Sequence, residues 1–202
     1  MNLYRKYLLP KFLNASMKKE AWDQHRSVVV KEAVGEVLEI GFGSGLNLPH
    51  YKNIKKLYAL EPSKEFFAFA KERIDKVPFS VEHVQASAEK MPFGDNTFDT
   101  VVSTWTLCSI PDVEAALKEV FRVLKNDGKF IFIDLGKSPR KFLSLVQNIL
   151  SPISELTSGG CHINREIDML IEKSGLKFEH IERFQQKSRP LIFMYKGVAI
   201  KR

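Results

Sequence analysis

The chain has 202 residues, 44% hydrophobic and 27% charged, with 31 Lys and Arg against 24 Asp and Glu for a formal net charge of +7. This excludes a disordered chain and suits one domain with a core of its own, needing no disulfide or metal staple. Two cysteines, Cys108 and Cys161, exclude a disulfide framework, a four-cysteine zinc site and a three-cysteine iron–sulfur motif.

From residue 36 onward, apolar runs of strand length alternate with helical periods, the pattern of a mainly parallel α/β sheet. Glu36–Ile40 predicts a first strand, stopped by glycines, and Lys56–Leu60 a second, ended by Glu61-Pro62. A helix is predicted from Ser63 toward Asp75, with Phe66, Phe67, Phe69 and Ala70 on its buried face. Phe79–Gln85 alternates weakly as strand three, and Thr100–Ser103 is strand four. Asp112 is placed to cap a helix over Val113–Leu124, followed by the turn Asn126-Asp127 and Gly128. Phe130–Leu135 is apolar enough for a central strand. Beyond it come a helix near Pro139–Leu150, a loop through Gly159-Gly160, and a helix capped by Asn164 and ended at Gly175. Phe178–Phe184 and Leu191–Ile200, joined by the turn Gln185–Pro190, form an antiparallel hairpin at the sheet edge.

Gly41, Gly43 and Gly45 alternate directly after the first strand, where they let the backbone turn tightly and approach a ligand without a Cβ clash. Glu61, at the end of the second strand, is placed to accept hydrogen bonds from ribose hydroxyls. A nicotinamide dinucleotide site shares these features, but its G-x-G-x-x-G fingerprint puts the third glycine where this chain has Leu46. Glu39, two residues ahead of the first glycine, is ill placed for pyrophosphate and suits a ligand bearing ammonium and sulfonium groups. S-adenosylmethionine is therefore favoured over NAD.

These residues, with the string Ala88 to Asp99 and the run Arg122-Val123-Leu124-Lys125-Asn126-Asp127-Gly128-Lys129, resemble the class I S-adenosylmethionine-dependent methyltransferases over residues 34–136. The resemblance implies a Rossmann-like, doubly wound seven-stranded sheet with helices on both faces and a C-terminal antiparallel hairpin. It divides a single 1–202 domain into an N-terminal helical lid (1–33), a cofactor core (34–136) and acceptor-side helices with the hairpin (137–202). Gly41, Gly43 and Gly45 would border the methionine and ribose of S-adenosylmethionine, whose spent form is S-adenosylhomocysteine. Glu61 would bind the ribose diol, and Pro62 and Ser63 would lie along the adenine. Relatives often carry an acidic residue before the Ala-Glu pair; Ser87 stands there, passing the adenine contact to the backbone of Ala88. Ser103 and Thr104 would line the face where acceptor meets methyl. No metal is expected.

The Asn/Asp-Pro-Pro-aromatic motif of amine-methylating enzymes is absent after strand four, and no basic patch interleaved with aromatics is evident, so nucleic acid is not an expected partner. Leu107-Cys108-Ser109-Ile110, Gly159 to Glu166 and Met194 to Lys201 are similar to the membrane-associated thiol methyltransferase-like proteins, and bacterial phospholipid N-methyltransferases share much of the framework. A small or lipid-like apolar acceptor is implied. Phospholipid amine methylation and a non-catalytic S-adenosylmethionine-binding module remain open alternatives.

Lys and Arg outnumber acids seven to two over residues 1–31 and twelve to six over 137–202, whereas 32–136 holds twelve against sixteen. Apolar stripes lie within both basic flanks: Leu3, Tyr4, Tyr7, Leu8, Phe12 and Leu13 among Arg5, Lys6 and Lys11, and Phe142, Leu145, Val146, Ile149, Leu150 and Ile153 behind Lys137, Arg140 and Lys141. Such segments can rest on anionic lipid; the plainer account packs both on the domain as a lid and a cover helix. No apolar run reaches the ~18 residues of a spanning helix, and the N-terminus lacks a secretion signal's core, so a cytoplasmic protein, peripheral at most to membrane, is expected. His162, in a Gly-Gly-Cys-His loop, is the candidate base for a thiol acceptor, with a loop-structuring role as its rival. Tyr4 and Tyr7 are candidates to close over the sulfonium.

Overall fold

The computed structural model describes residues 8–186 and 189–202. Helices α1 (Leu9–Met17) and α2 (Glu20–Val29) precede β1 (Val34–Ile40) and β2 (Asn53–Leu60). Two short helices, α3 (Lys64–Ala68) and α4 (Lys71–Ile74), lead to β3 (Ser80–Val84) and β4 (Phe98–Thr104). Then follow α5 (Val113–Val123), β5 (Leu124–Leu135), α6 (Lys141–Thr157), α7 (Ile167–Lys173), β6 (Lys177–Gln185) and β7 (Phe193–Ile200). The seven strands lie in the order β3-β2-β1-β4-β5-β7-β6. β7 runs antiparallel to both β5 and β6, and the other pairings are parallel. The Rossmann-like sheet and its terminal hairpin follow the order expected from sequence.

The period-two alternation of the central strands builds two cores. Leu38, Val101, Phe130 and Phe132 face one side, against Leu117, Val120, Ile167 and Ile171 of α5 and α7. Val37, Val102, Ile131 and Ile133 face the other, where Trp22 and Val29 of α2 close the layer. The order in which strands are added reverses at β1, which leads outward to β2 while its parallel neighbour β4 starts the other half, so a crevice opens past their carboxyl ends, where ligands enter such sheets.

Several boundaries depart from the periodic reading. The helix expected from Ser63 to Asp75 is split at Phe69-Ala70, where the Arg73 guanidinium donates to Phe69 O at 2.8 Å and to Ser44 O at 2.5 Å. The turn at Asn126-Asp127 lies inside β5 as a bulge: Phe98 pairs with Leu124, but Thr100 pairs with Lys129, and Asp127 takes a φ of +60°. Asn164 caps no helix. Its amide is used by Ser151 Oγ at 2.8 Å and Asn148 Oδ1 at 3.0 Å, and α7 begins after Glu166. Asp112 does cap α5, its carboxylate accepting from Ala115 N at 3.0 Å.

The largest departure is α6. It runs through Pro152 to Thr157, and its outer face is apolar. Gln147 and Ser151 are buried, whereas Phe142 (74%), Leu145 (58%), Ile149 (66%), Ile153 (57%) and Leu156 (67%) are exposed. The account that packs this stripe on the domain is thus corrected for Phe142, Leu145, Ile149 and Ile153, whereas Val146 and Leu150 are half-buried beside an inner face held by polar contacts. Gln147 accepts from Ser138 N at 2.8 Å and donates to Gly136 O at 3.1 Å and Leu191 O at 3.2 Å. In α1, Leu9 is buried while Phe12, and Leu8 just before the helix, are exposed. Leu3, Tyr4, Arg5, Lys6 and Tyr7, and with them the closing of two tyrosines over a sulfonium, lie outside the described residues.

Phe98 is fully buried, with its ring edge-on to Phe93 at 4.9 Å and Tyr58 at 5.2 Å. Phe98→Ala leaves a cavity between β4 and α5 and is expected to cost about 3–5 kcal/mol. Urea unfolding measures it, and a loss below about 1 kcal/mol contradicts this packing.

Candidate functional site

Beyond the ends of β1 and β4 lies a cavity of about 700 Å³, within the range of small-molecule sites. Its floor is the glycine turn. Gly41 N and Phe42 N both donate to Leu60 O, at 3.0 and 3.1 Å, pinning the turn to the end of β2. Gly41 has a φ of +65°, and a Cβ there would lie 2.3 Å from the Thr106 side chain. Gly43, at +57°, has only Gly41 O within 4 Å of its Cβ position, at 3.8 Å, so its missing side chain leaves open space. Gly45 does not border the cavity: its Cβ position is 3.0–3.1 Å from Leu48, Ala70 and Phe42, so this glycine serves close packing under the turn.

Glu61 is 6% exposed and lines the cavity. Its Oε2 accepts from Gly43 N at 2.8 Å and its Oε1 from Ser63 N at 2.9 Å. Burial raises the pKa of this carboxyl, and the two N–H donors oppose that rise. A carboxylate has about four acceptor sites, so two backbone bonds leave capacity at the cavity surface. Pro62, Ser87 and Ala88 line the same end. Ser87 Oγ is engaged with Glu89, donating to Oε2 at 2.8 Å. Ser63 does not reach the cavity, since its hydroxyl caps α3 by accepting from Phe66 N at 3.2 Å.

Glu39 lies deeper, 2% exposed, with Tyr51 Oη donating to Oε2 at 2.6 Å and Asn47 Nδ2 to Oε1 at 2.9 Å. Burial outweighs these bonds and the nearby Arg26 charge, and the Glu39 pKa is pushed up to about 8. Thr104 lines the cavity and accepts from Asn47 Nδ2 at 3.0 Å. Ser103 does not: it is fully buried beneath, and its Oγ has no protein partner. Among the lining side chains, Asn47 Oδ1, Trp105 Nε1 and Asn14 Oδ1 are likewise buried without a partner. Native interiors leave few such atoms, and these three belong to residues that border one cavity while the atoms themselves are shielded from it.

Trp105 carries a φ of +52°, costly for a bulky residue. It stacks edge-on with Trp22 at 5.2 Å, under the Arg26 guanidinium at 4.7 Å from its ring centroid. Arg26 is itself buried and donates to Met17 O at 2.8 Å; burial lowers its pKa to about 10, which leaves it charged.

Cys108 and Cys161 meet on the acceptor-side wall with sulfurs 3.1 Å apart. Cys161 and burial hold the Cys108 thiol well above its ordinary pKa. Asp134, fully buried with its pKa raised to about 6 by burial, accepts from Leu107 N at 2.7 Å and supports the same turn. His162 is outside the cavity. Its N–H donates to Cys108 O at 2.8 Å, and its Nδ1 is 3.9 Å from Glu155. The geometry fits the loop-structuring role and brings no imidazole to the cavity. Asn14, Arg26, Asn47, Trp105 and Cys161 were not read as site residues from sequence; they reach the cavity from α1, α2 and loops of no periodic signature.

A doubly wound sheet with this glycine turn and acidic strand end defines the class, and comparison agrees. The family described as "Methyltransferase domain" matches residues 38–132. Thiol S-methyltransferase TMT1B of Rattus norvegicus is 31% identical over 79% of this chain and 67% of its own length. Phosphatidylethanolamine N-methyltransferase of Cereibacter sphaeroides is 30% identical over 58% of this chain and 59% of its own. In fold, an S-adenosylmethionine-dependent methyltransferase of Thermotoga maritima superposes with a TM-score of 0.68 over 98% of this chain and all of that one, at 22% identity. The chain belongs to the class I S-adenosylmethionine-dependent methyltransferases. Among the described residues, no helix is long and apolar enough to cross a membrane.

Between pH 4.5, the ordinary value for a glutamate, and about 8, folded Glu39 keeps a proton that the unfolded chain releases. Its contribution to stability therefore falls as pH rises through this window. Glu39→Gln is expected to remove that decline and to exceed the parent in stability at pH 8 relative to pH 5. Parallel pH profiles for the two proteins in urea titrations contradict the assignment.

Proposed function

We propose that the cavity binds S-adenosylmethionine and transfers its methyl group to a small or lipid-like apolar acceptor, with an apolar thiol as the first candidate. The observation that carries the reading is the Glu61–Gly43 junction. A buried carboxylate orders the glycine turn with half of its acceptor capacity and offers the other half to a ribose diol. Gly41 and Gly43 keep the floor free of side chains, and Pro62, Ser87 and Ala88 form the adenine end. At the opposite end the lining residues Asn14, Asn47 and Thr104 and the charged Arg26 suit the ammonium and carboxylate of the methionine portion. Deprotonated, Glu39 complements the positive charge.

Bound there, the cofactor supplies a methyl carbon on a sulfonium; transfer leaves S-adenosylhomocysteine, and a thiol acceptor gives up its proton. The residues of the chain contribute by orientation and exclusion of water, which can account for much of such a rate. The wall facing the acceptor is apolar, formed by Leu9, Leu13, Ile110, Leu135 and Ile163 with the two thiols. No base is assigned to His162. Similarity to the thiol S-methyltransferase supports a thiol acceptor. The exposed Leu8, just before α1, and the exposed Phe12 lining the cavity favour a lipid amine as the second reading.

Two experiments test this. Calorimetry with S-adenosylmethionine is expected to show binding to the parent and at least tenfold weaker binding to Gly43→Ala, whose new methyl enters open cavity space while the fold pays only about 1–2 kcal/mol for a left-handed alanine. Equal affinity in a folded Gly43→Ala protein contradicts the site. Labelled cofactor offered with alkyl thiols, and separately with phosphatidylethanolamine vesicles, is expected to label the thiol; label on the lipid alone establishes the second reading instead.

A further inference from the structure

The outer face of α6 is the least expected surface of the molecule. Phe142, Leu145, Ile149, Ile153 and Leu156 recur at intervals of three and four residues, so they share one face of the helix, and each is more than half exposed. The opposite face carries Gln147 and Ser151, both buried and hydrogen-bonded. Leu143, Val146 and Leu150 are half-buried beside them, so the inner face is mixed. The outer face leaves five large apolar side chains in water, more than an ordinary surface helix does. α1 continues the feature at the carboxyl end of α6: the Cβ position of Gly159 lies 3.5 Å from both Leu9 and Leu13, and Leu8, just before α1, and Phe12 are exposed. Phe12, Leu13, Ser154 and Ser158 also line the cavity, so the apolar face borders its mouth.

Charge identifies the occupant. α1 contains Lys11 and no acid, and Lys18 and Lys19 follow it, while Arg140 and Lys141 precede and open α6; Lys137, just before them, is paired with Glu166 at 3.0 Å. The one carboxylate on either helix, Glu155, turns toward His162 at 3.9 Å. A second copy of this chain seated on the same face would bring this basic margin against its own like charges. A bilayer with anionic headgroups satisfies both features: acyl chains take the stripe and headgroups take the lysines.

We infer that the outward face of α6, with the exposed end of α1, is a docking surface for an anionic lipid bilayer, lying in its interface and opening the cavity toward the membrane. The inference stands on exposure and charge, whichever acceptor is methylated.

The test is co-sedimentation of the full chain with vesicles of phosphatidylcholine alone and of phosphatidylcholine containing phosphatidylglycerol, at low salt and at 0.5 M salt. Binding is expected only to the anionic vesicles and is expected to weaken at least fivefold in high salt. The double variant Ile149→Glu/Ile153→Glu is expected to lose at least tenfold in vesicle affinity while keeping its melting temperature and its calorimetric affinity for S-adenosylmethionine. Val34→Glu, also at an exposed apolar residue but at the amino end of β1, opposite the cavity, is expected to bind vesicles as the parent does. Absence of vesicle binding by the parent overturns the inference, as does undiminished binding by the double variant. So does a parent that ignores vesicles and elutes as a dimer which the double variant dissolves, because the face is then an interface between copies.

Discussion

The site depends on one carboxylate placed where two strands end. Glu61 holds Gly43 N–H with one oxygen and Ser63 N–H with the other, so one side chain fixes both the glycine turn after β1 and the start of α3 after β2. Charge-assisted bonds to backbone N–H groups are worth more than neutral ones, and here they lie in a partly water-excluded space. The turn is also tied from below by its own N–H bonds to Leu60 and by Arg73 to Ser44 O. A floor held this way is in place before a ligand arrives, which reduces the ordering cost of binding.

The far end of the cavity is built on the opposite principle. Glu39 is held nearly neutral by burial, and polar atoms of Asn47, Asn14 and Trp105 lack partners. Each of these costs folding free energy. They concentrate on residues that border one cavity. One end of the cavity is therefore satisfied in itself, and the other keeps polar atoms without protein partners.

The sheet was legible because its strands are short apolar runs punctuated by glycine, proline and acidic residues, and β1, β2, β4 and the hairpin lie within a few residues of the spans expected. Gly41, Gly43 and Glu61 were legible because the turn needs its residues at fixed spacing. Three things were not legible. The α6 stripe stood open between lipid and core because periodicity shows that a helix has an apolar face and not which way it turns; that was decided by Gln147 finding three backbone partners inside. Asn164 read as a cap because Asn commonly is one, but Ser151 and Asn148 claimed its amide. Cys108 and Cys161 stand fifty-three positions apart, a separation that allows a pairing in principle but carries no local pattern to signal that their sulfurs meet.

Trp105 sits immediately beyond β4 in a backbone conformation that only glycine adopts freely, and its indole closes the cavity beside Trp22 and Arg26. Glycine at this position would relax the main chain and strip the wall of its ring. A library of variants enriched only for heat resistance is therefore expected to drift toward small residues at 105 and to discard competence as it does so. Durability and activity pull this one position in opposite directions.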